Sequence, residues 1–361
     1  MLKKTNSYIY QTAFPMPATT KPEIPWKSWQ NWKEILQGLY PGKPTFTEVE
    51  LQQVLSLDDN NHERVMIITG GNSGIGLELI KKITKATNKI RIYVFARNRD
   101  STLRAIENLP QVHYVHLDLA DISTVKPAVA QFLTMETRLD IIIHNAGTMH
   151  PRQGHFTEQN HEIHLGVNCI GSHLLQHHLN RTIIETSRSH RNCRIIWVSS
   201  TSHFWAPRHG LYFPDPNFSF TTPPSALTLY SQSKAINIIQ SRLWNMMNHE
   251  GGGGGNEEEE EEEERVVCVA LCPGYLKTGL SRNLTSVENF FGDMITHDAA
   301  WGAYTSLYAA FSPEVDKSGA YVISFGKLGR SRGDFDVDGD GNLENMVRVW
   351  RYLDDQIAEY K

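Results

Sequence analysis

Between residues 65 and 83 an apolar run, a glycine turn and an amphipathic pattern follow one another without a gap, and few folds accommodate that order. Val65 to Ile68 reads as a buried parallel strand, while Leu77, Leu79, Ile80 and Ile83 recur at helical spacing. The turn between them, Thr69-Gly70-Gly71-Asn72-Ser73-Gly74-Ile75-Gly76, has the spacing TGxxxGxG. A helix N-terminus offers unpaired N–H groups and the positive end of the helix dipole, and glycines let an anion approach the main chain. The stretch therefore predicts a strand, a phosphate-sized turn and a helix, against the plainer reading of a tight turn without a ligand.

From residue 64 onward, strand and helix signals alternate, as in a parallel sheet with helices on both faces. Strands are expected at 65–69, 90–96, 112–117, 141–145, 194–199, 266–271 and 321–323. The fold class is thus α/β, a Rossmann-type doubly wound sheet of about seven strands in which sites form beyond the carboxyl ends of the strands. Three regions follow: an N-terminal extension over 1–62, a catalytic domain over 63–330, and a C-terminal acidic turn with an amphipathic helix over 331–361. In the extension Trp26, Trp29 and Trp32, three apart, stack on one side of a short helix near 27–39. That helix reads as a clasp on the main domain, or else as a substrate-site wall, a dimer contact or a peripheral membrane foot. Gly251 to Gly255, Asn256 and the eight glutamates 257–264 form a disordered insertion over 249–264.

A net charge of −5 gives no general attraction to nucleic acid or anionic membrane. No apolar run is long enough for a spanning helix, and the N-terminus lacks a signal-peptide core. Cys169, Cys193, Cys268 and Cys272 lack framework spacing and read as reduced thiols. The chain is expected to be cytoplasmic, or else peripheral on an intracellular membrane or lipid droplet. His173 and His177, one helical turn apart, lack the further ligands a metal would need. The aspartates from Asp334 to Asp340 imitate a calcium loop but read as a solvated acidic turn, because Asn345 or Val347 falls where the closing Glu belongs.

The strand ends carry the chemistry. Arg97 and Arg99 follow the second strand, where arginine accommodates a ribose 2′-phosphate and an acidic residue would bind the 2′-hydroxyl; this favours NADP over NAD. Asp118 ends the third strand and can accept from an adenine amino group. Asn145-Ala146-Gly147 ends the fourth with residues small enough for a cofactor to lie against the backbone. The fifth ends at Ser200 and runs into an aromatic loop, 202–229, read either as an apolar substrate wall or as a self-packed Ω-loop. Tyr230 and Lys234 then lie four apart on a helix. A lysine cation one turn from a phenol favours the phenolate, so Tyr230 can exchange a proton with a carbonyl or alcohol oxygen that Ser200 holds. The segment 279–300, after the sixth strand, is placed to act as a lid.

TGGNSGIG, Asn145-Ala146-Gly147, Asn168, Ser200, Tyr230-Ser231-Gln232-Ser233-Lys234 and Pro273-Gly274-Tyr275-Leu276-Lys277-Thr278 stand in the order of the short-chain dehydrogenases/reductases. The chain resembles that family over about 64–326, with the retinol-dehydrogenase-like and fungal secondary-metabolite reductase members most alike. The resemblance implies an oxidoreductase acting on a lipophilic small-molecule carbonyl or alcohol, with Ser200, Tyr230, Lys234 and Asn168 as catalytic residues. It assigns Gly70, Ser73, Gly74, Ile75 and Gly76 to the pyrophosphate side, Asp118 to adenine and Asn145 to the adenosine ribose. Lys234 would bind the nicotinamide ribose, Asn168 would anchor a water chain leading to Lys234, and Leu276 with Thr278 would meet the carboxamide. It also implies a homodimer through the helices flanking Tyr230. The same fold hosts epimerases and dehydratases, and a cofactor-sensing interaction protein is the reading from another class.

Overall fold

The structure is a computed structural model that describes residues 22–25, 29–39, 41–57, 63–149, 154–190, 192–220, 222–223, 225–248, 266–277, 297–339 and 342–361. Trp26, the Gly/Glu insertion 249–264, Thr278, residues 279–296 of the lid expected at 279–300, and Asp340 lie outside them.

Helices α1 (Trp29–Leu39) and α2 (Glu48–Ser56) precede strand β1 (Arg64–Thr69). Helix α3 (Gly74–Ala86) leads to β2 (Ile90–Ala96), and α4 (Arg99–Ile106) to β3 (Val112–His116). After α5 (Val125–Met135) and β4 (Ile141–His144), α6 runs from Ile163 to Ser189 with a π-turn at Gly166–Gly171. Strand β5 (Cys193–Val198), helix α7 (Ala226–Asn248) and β6 (Val266–Leu271) follow. The short β7 (Leu276–Lys277) and β8 (His297–Asp298) form a separate pair. Helix α8 (Ala299–Phe311), the hairpin β9 (Tyr321–Ile323) and β10 (Lys327–Gly329), and α9 (Asn342–Ile357) complete the described chain.

The main sheet has eight strands in the order β10-β9-β6-β5-β4-β1-β2-β3, parallel except for the edge strand β10. The seven expected strands are therefore present, and β10 is an addition. The order reverses between β1 and β4, which opens a crevice at their carboxyl ends. Alternation along the strands divides the core. Val65, Ile67, Tyr93, Phe95, Ile142 and Trp197 face α5, α6, α7 and α9, whereas Met66, Ile68, Ile92, Ile143 and Val269 face α2, α3 and α8.

Both appendages belong to this core. Leu51 of α2 is fully buried among residues of β1 and α3, and a capping box between Thr47 and Glu50 starts that helix, which the sequence reading did not include. Helix α1 docks through Asn31 and Ile35, while Trp32 is 43% exposed, so at Trp32 the expected indole face is turned to solvent. Helix α9 buries Met346, Val349, Trp350, Leu353 and Ile357 on α6 and α7, so that face of the helices flanking Tyr230 is covered within the chain. The Asp-rich turn is engaged in ion pairs: Asp334 with Arg332, and Asp336 with Arg242. Among the described residues no cluster of metal-ligating side chains occurs, and no helix is long and apolar enough to cross a membrane.

Candidate active site

At the crevice Gly70 and Gly74 have φ of +67° and +57°, a left-handed backbone that glycine adopts without strain. Gly76 is required by space. A Cβ there would lie 2.8 Å from Asn145 Nδ2 and 2.9 Å from the Gly70 oxygen. Ser73 caps α3 without a side-chain hydrogen bond, and nothing lies within 4 Å of a Cβ built on Gly74, so the helix start faces open space. An uncapped helix start behind glycines at a strand switch point fits a pyrophosphate. Ile75 is half-buried beside it.

Asn145 donates its amide to the oxygens of Thr69 (2.9 Å) and Gly70 (3.3 Å), and the Ala146 N–H donates to Thr69 Oγ1 (2.9 Å). These bonds tie the end of β4 to the glycine turn. Gly147 lies deeper, where a Cβ would come within 3.2 Å of Asn168 Oδ1 and 3.4 Å of Lys234 Nζ. On the other side of the turn Arg97 is 73% exposed and its Nε stands 3.9 Å from Asp118 Oδ2, with no acidic residue at the end of β2. Asp118 Oδ1 accepts from the Ala120 N–H (2.9 Å). Leu276 is half-buried, its side chain pressed on α8 at Gly302.

Ser200 stands just past β5, where its hydroxyl accepts from the Ser202 N–H (3.2 Å) and adjoins the Tyr230 phenol on the first turns of α7 closely enough to favour the phenolate. Lys234, one turn further along, is 4% exposed; its Nζ donates to the Val198 oxygen (2.8 Å) and lies 5.6 Å from the Tyr230 ring centroid. Burial pulls the Lys234 ammonium down to about 8, since a charge in an apolar interior is poorly solvated. Burial also pushes the Tyr230 phenol above its usual value, and the Ser200 hydrogen bond only partly opposes this. The shift is upward, and the lowering expected from Lys234 is not among its causes. Asn168 sits in the π-turn of α6, where Oδ1 accepts from the Thr148 N–H (2.8 Å) and Nδ2 donates to Ser233 Oγ (2.9 Å). Ser200, Tyr230, Lys234 and Asn168 are therefore gathered beside the crevice, with Gly147 against two of them.

The family described as short chain dehydrogenase matches residues 64–210. A short-chain dehydrogenase/reductase of Emericella nidulans is 32% identical over 82% of this chain and 93% of its own length; one of Phomopsis amygdali is 31% identical over 92% and 99%. The chain belongs to the short-chain dehydrogenase/reductase family. As such it is an oxidoreductase. The 3-ketoacyl-(acyl-carrier-protein) reductase of Brucella melitensis complexed with NADH has a similar fold, with a TM-score of 0.55 and 20% identity over 73% of this chain and 97% of that one. Pseudomonas aeruginosa RhlG, in an NADP active-site complex, matches with a TM-score of 0.55 and 16% identity over 73% and 95%.

Within this short-chain dehydrogenase/reductase the sequence reading missed several residues around the four. Ser199 Oγ donates to the Lys234 oxygen (2.7 Å), Ser233 Oγ to the Tyr230 oxygen (2.8 Å), and Asn237 Nδ2 to the Asn168 oxygen (2.8 Å). Asn237 Oδ1 also lies 3.4 Å from Lys234 Nζ. The available signal was helical spacing, because Ser233 and Asn237 recur at three and seven residues after Tyr230. His164, paired with Glu162 at 2.6 Å, sets its ring edge-on to Tyr230 at 6.0 Å. Much of the aromatic loop packs on the protein itself: Tyr212 stacks on Phe218 at 5.2 Å and Phe213 lies under Arg348 at 3.8 Å.

Proposed function

We propose that this short-chain dehydrogenase/reductase interconverts an alcohol and a ketone or aldehyde on an apolar small molecule, uses NADP, and runs in the direction of reduction. The observation that carries the reading is the gathering of Ser200 and Tyr230 beside the buried Lys234. Tyr230 gives a proton to the carbonyl oxygen as charge develops there, and Ser200 donates a hydrogen bond that holds the same oxygen. A phenol that holds its proton suits the acid role, and the direction follows from the cellular NADPH ratio, which favours reduction. Lys234 and Asn168 hold the sugar side of the site and lead the replacement proton in. The bound nicotinamide supplies the hydride. Gly70, Ser73, Gly74, Ile75, Gly76, Asn145, Ala146 and Gly147 would line the pyrophosphate and ribose, Asp118 the adenine, and Leu276 with Thr278 the carboxamide.

Structural neighbours have been solved with NADH and with NADP, so fold likeness does not choose between them; Arg97, exposed beyond β2, supports NADP. The test is NADPH consumption with a panel of lipophilic ketones and aldehydes, alongside Tyr230→Phe. Turnover that falls by about 10²–10⁴-fold with NADPH affinity retained is the expected result. An active Tyr230→Phe enzyme would overturn the mechanism, and a wild-type enzyme that binds NADPH but reduces nothing would overturn the function.

A further inference from the structure

Arg332 follows β10, outside the segment matched by the family, and is 2% exposed. Its guanidinium donates through Nη1 to the oxygens of Phe204 (3.2 Å) and Ala206 (2.7 Å), and through Nη2 to that of Pro207 (2.7 Å). Nε and Nη2 also pair with the two oxygens of Asp334 at 2.6 and 2.9 Å, so all five N–H groups are engaged. Asp334 Oδ2 accepts in turn from the His209 N–H at 2.9 Å. The planar fork thus grips three carbonyls within four residues of one loop, which a lysine could not do.

The main chain of Arg332 reaches further. Its N–H donates to His203 Nε2 at 3.2 Å, which fixes the proton of that fully buried imidazole on Nδ1. Nδ1 then donates to the Ser200 oxygen at 2.7 Å, and the His203 N–H donates to the same oxygen at 3.1 Å. Burial lowers the imidazole to about 3, so it remains neutral in this arrangement. A single chain of contacts therefore runs from Arg332 through His203 to the residue whose hydroxyl meets Tyr230.

We infer that Arg332 and His203 are positioning residues for Ser200: Arg332 clamps the loop 203–207, and His203 tethers the Ser200 backbone so that its hydroxyl keeps its place beside Tyr230. This rests on the proposed role of Ser200. Neither residue touches substrate in this scheme. Their part is to remove alternative placements of the hydroxyl, because a reacting group that wanders by a fraction of an ångström loses rate without losing binding.

Two measurements on the full chain test this. Hydrogen–deuterium exchange in the peptide 200–210 should rise about tenfold in Arg332→Gln and in His203→Phe, with 64–76 within about twofold of wild type. If Arg332→Gln does not fold, Arg332→Lys, which keeps the charge but not the fork, takes its place. Reduction of a panel of aryl ketones and long-chain aldehydes with NADPH is then followed in a mutant cycle. His203→Phe should lower kcat about tenfold with KM little changed, and His203→Asn, whose amide N–H can replace Nδ1–H, should recover most of it. In a Ser200→Ala background, His203→Phe should cost less than about twofold. Unchanged exchange at 200–210 overturns the clamp, and an undiminished loss in the Ser200→Ala background overturns the positioning role. A Ser200→Ala enzyme as active as wild type, or a wild type inert on the whole panel, overturns the reading of Ser200 instead, and exchange still decides whether the tether exists.

Discussion

The Lys234 ammonium donates to the Val198 carbonyl at 2.8 Å and leaves the Tyr230 ring centroid 5.6 Å away. The cation is thereby anchored to the end of β5, the same strand end that delivers Ser200. The backbone that presents the serine also fixes the lysine, so the two cannot drift independently.

That anchored cation has a consequence for stability. Lys234 lies near 8 in the folded protein against 10.5 for an ordinary lysine. Below pH 8 both folded and unfolded chains carry the proton, and the penalty for burying the charge is constant. Between about 8 and 10.5 the unfolded chain holds more protons, so raising the pH stabilises the folded state. Relative to Lys234→Met, wild type should gain on the order of 3 kcal/mol across that window, read from urea denaturation at a series of pH values. Parallel pH profiles for the two proteins would show that Lys234 is not depressed.

Arg97 governs the choice of dinucleotide if it meets a 2′-phosphate. Replacing it with Glu should weaken NADPH binding by roughly 10- to 100-fold, the worth of one or two charge-assisted hydrogen bonds, and leave NADH binding nearly unchanged. Calorimetric titration with each cofactor decides it. Equal losses for both would mean that Arg97 serves only as a partner for Asp118.

Gly74 and Gly76 should respond differently to alanine. At Gly74 the space is open and φ is +57°, so the cost is the left-handed backbone alone, about 1 kcal/mol. At Gly76 the methyl would meet Asn145 Nδ2 at 2.8 Å and backbone oxygen at 2.9 Å, so the turn must shift. A loss of about 1–3 kcal/mol and of dinucleotide affinity is expected for Gly76→Ala. Thermal melts with and without NADPH compare the two variants.

Asp354 links α9 to α6. Burial would raise its carboxyl, but hydrogen bonds from His173 and Lys361 outweigh that and bring it to about 2. The folded state is therefore favoured above the ordinary carboxylate range, near 4, and the gain disappears as the pH falls toward 2. With the side chain 32% exposed, Asp354→Asn should cost no more than about 1 kcal/mol at pH 7, and at most a few tenths of that at pH 2. Denaturation at both pH values checks it.

Much of this was legible in the chain because its signals are local. The inner parallel strands appear as nearly unbroken apolar runs since both faces of the sheet are covered, while β3 at the edge reads VHYVH, and TGGNSGIG declares itself within eight residues. Helix α2 escaped because it is only nine residues long, so that Leu51, Val54 and Leu55 give a single repeat of the helical spacing. Strand β10, three residues at an exposed edge, has no alternation to read. Arg332 escaped for another reason: its partner His203 lies 129 residues away, and no spacing rule joins them. The same holds for Asn237, which reaches Asn168 across 69 residues. Residue types that perform chemistry can be found from motifs, whereas those that hold them in place are found only once distant segments meet.

Helix α9 closes the same hydrophobic cluster that contains Val65 and Ile67. During synthesis, then, the sides of α6 and α7 that receive α9 stay uncovered until residue 357 has left the ribosome. At about 5–20 residues per second, the stretch from the end of α7 at 248 to the end of α9 at 357 takes roughly 5–20 seconds to make. For that interval the apolar sides of α6 and α7 are exposed to other nascent chains, so the yield of soluble protein should depend on translation speed and on chaperones that shield them.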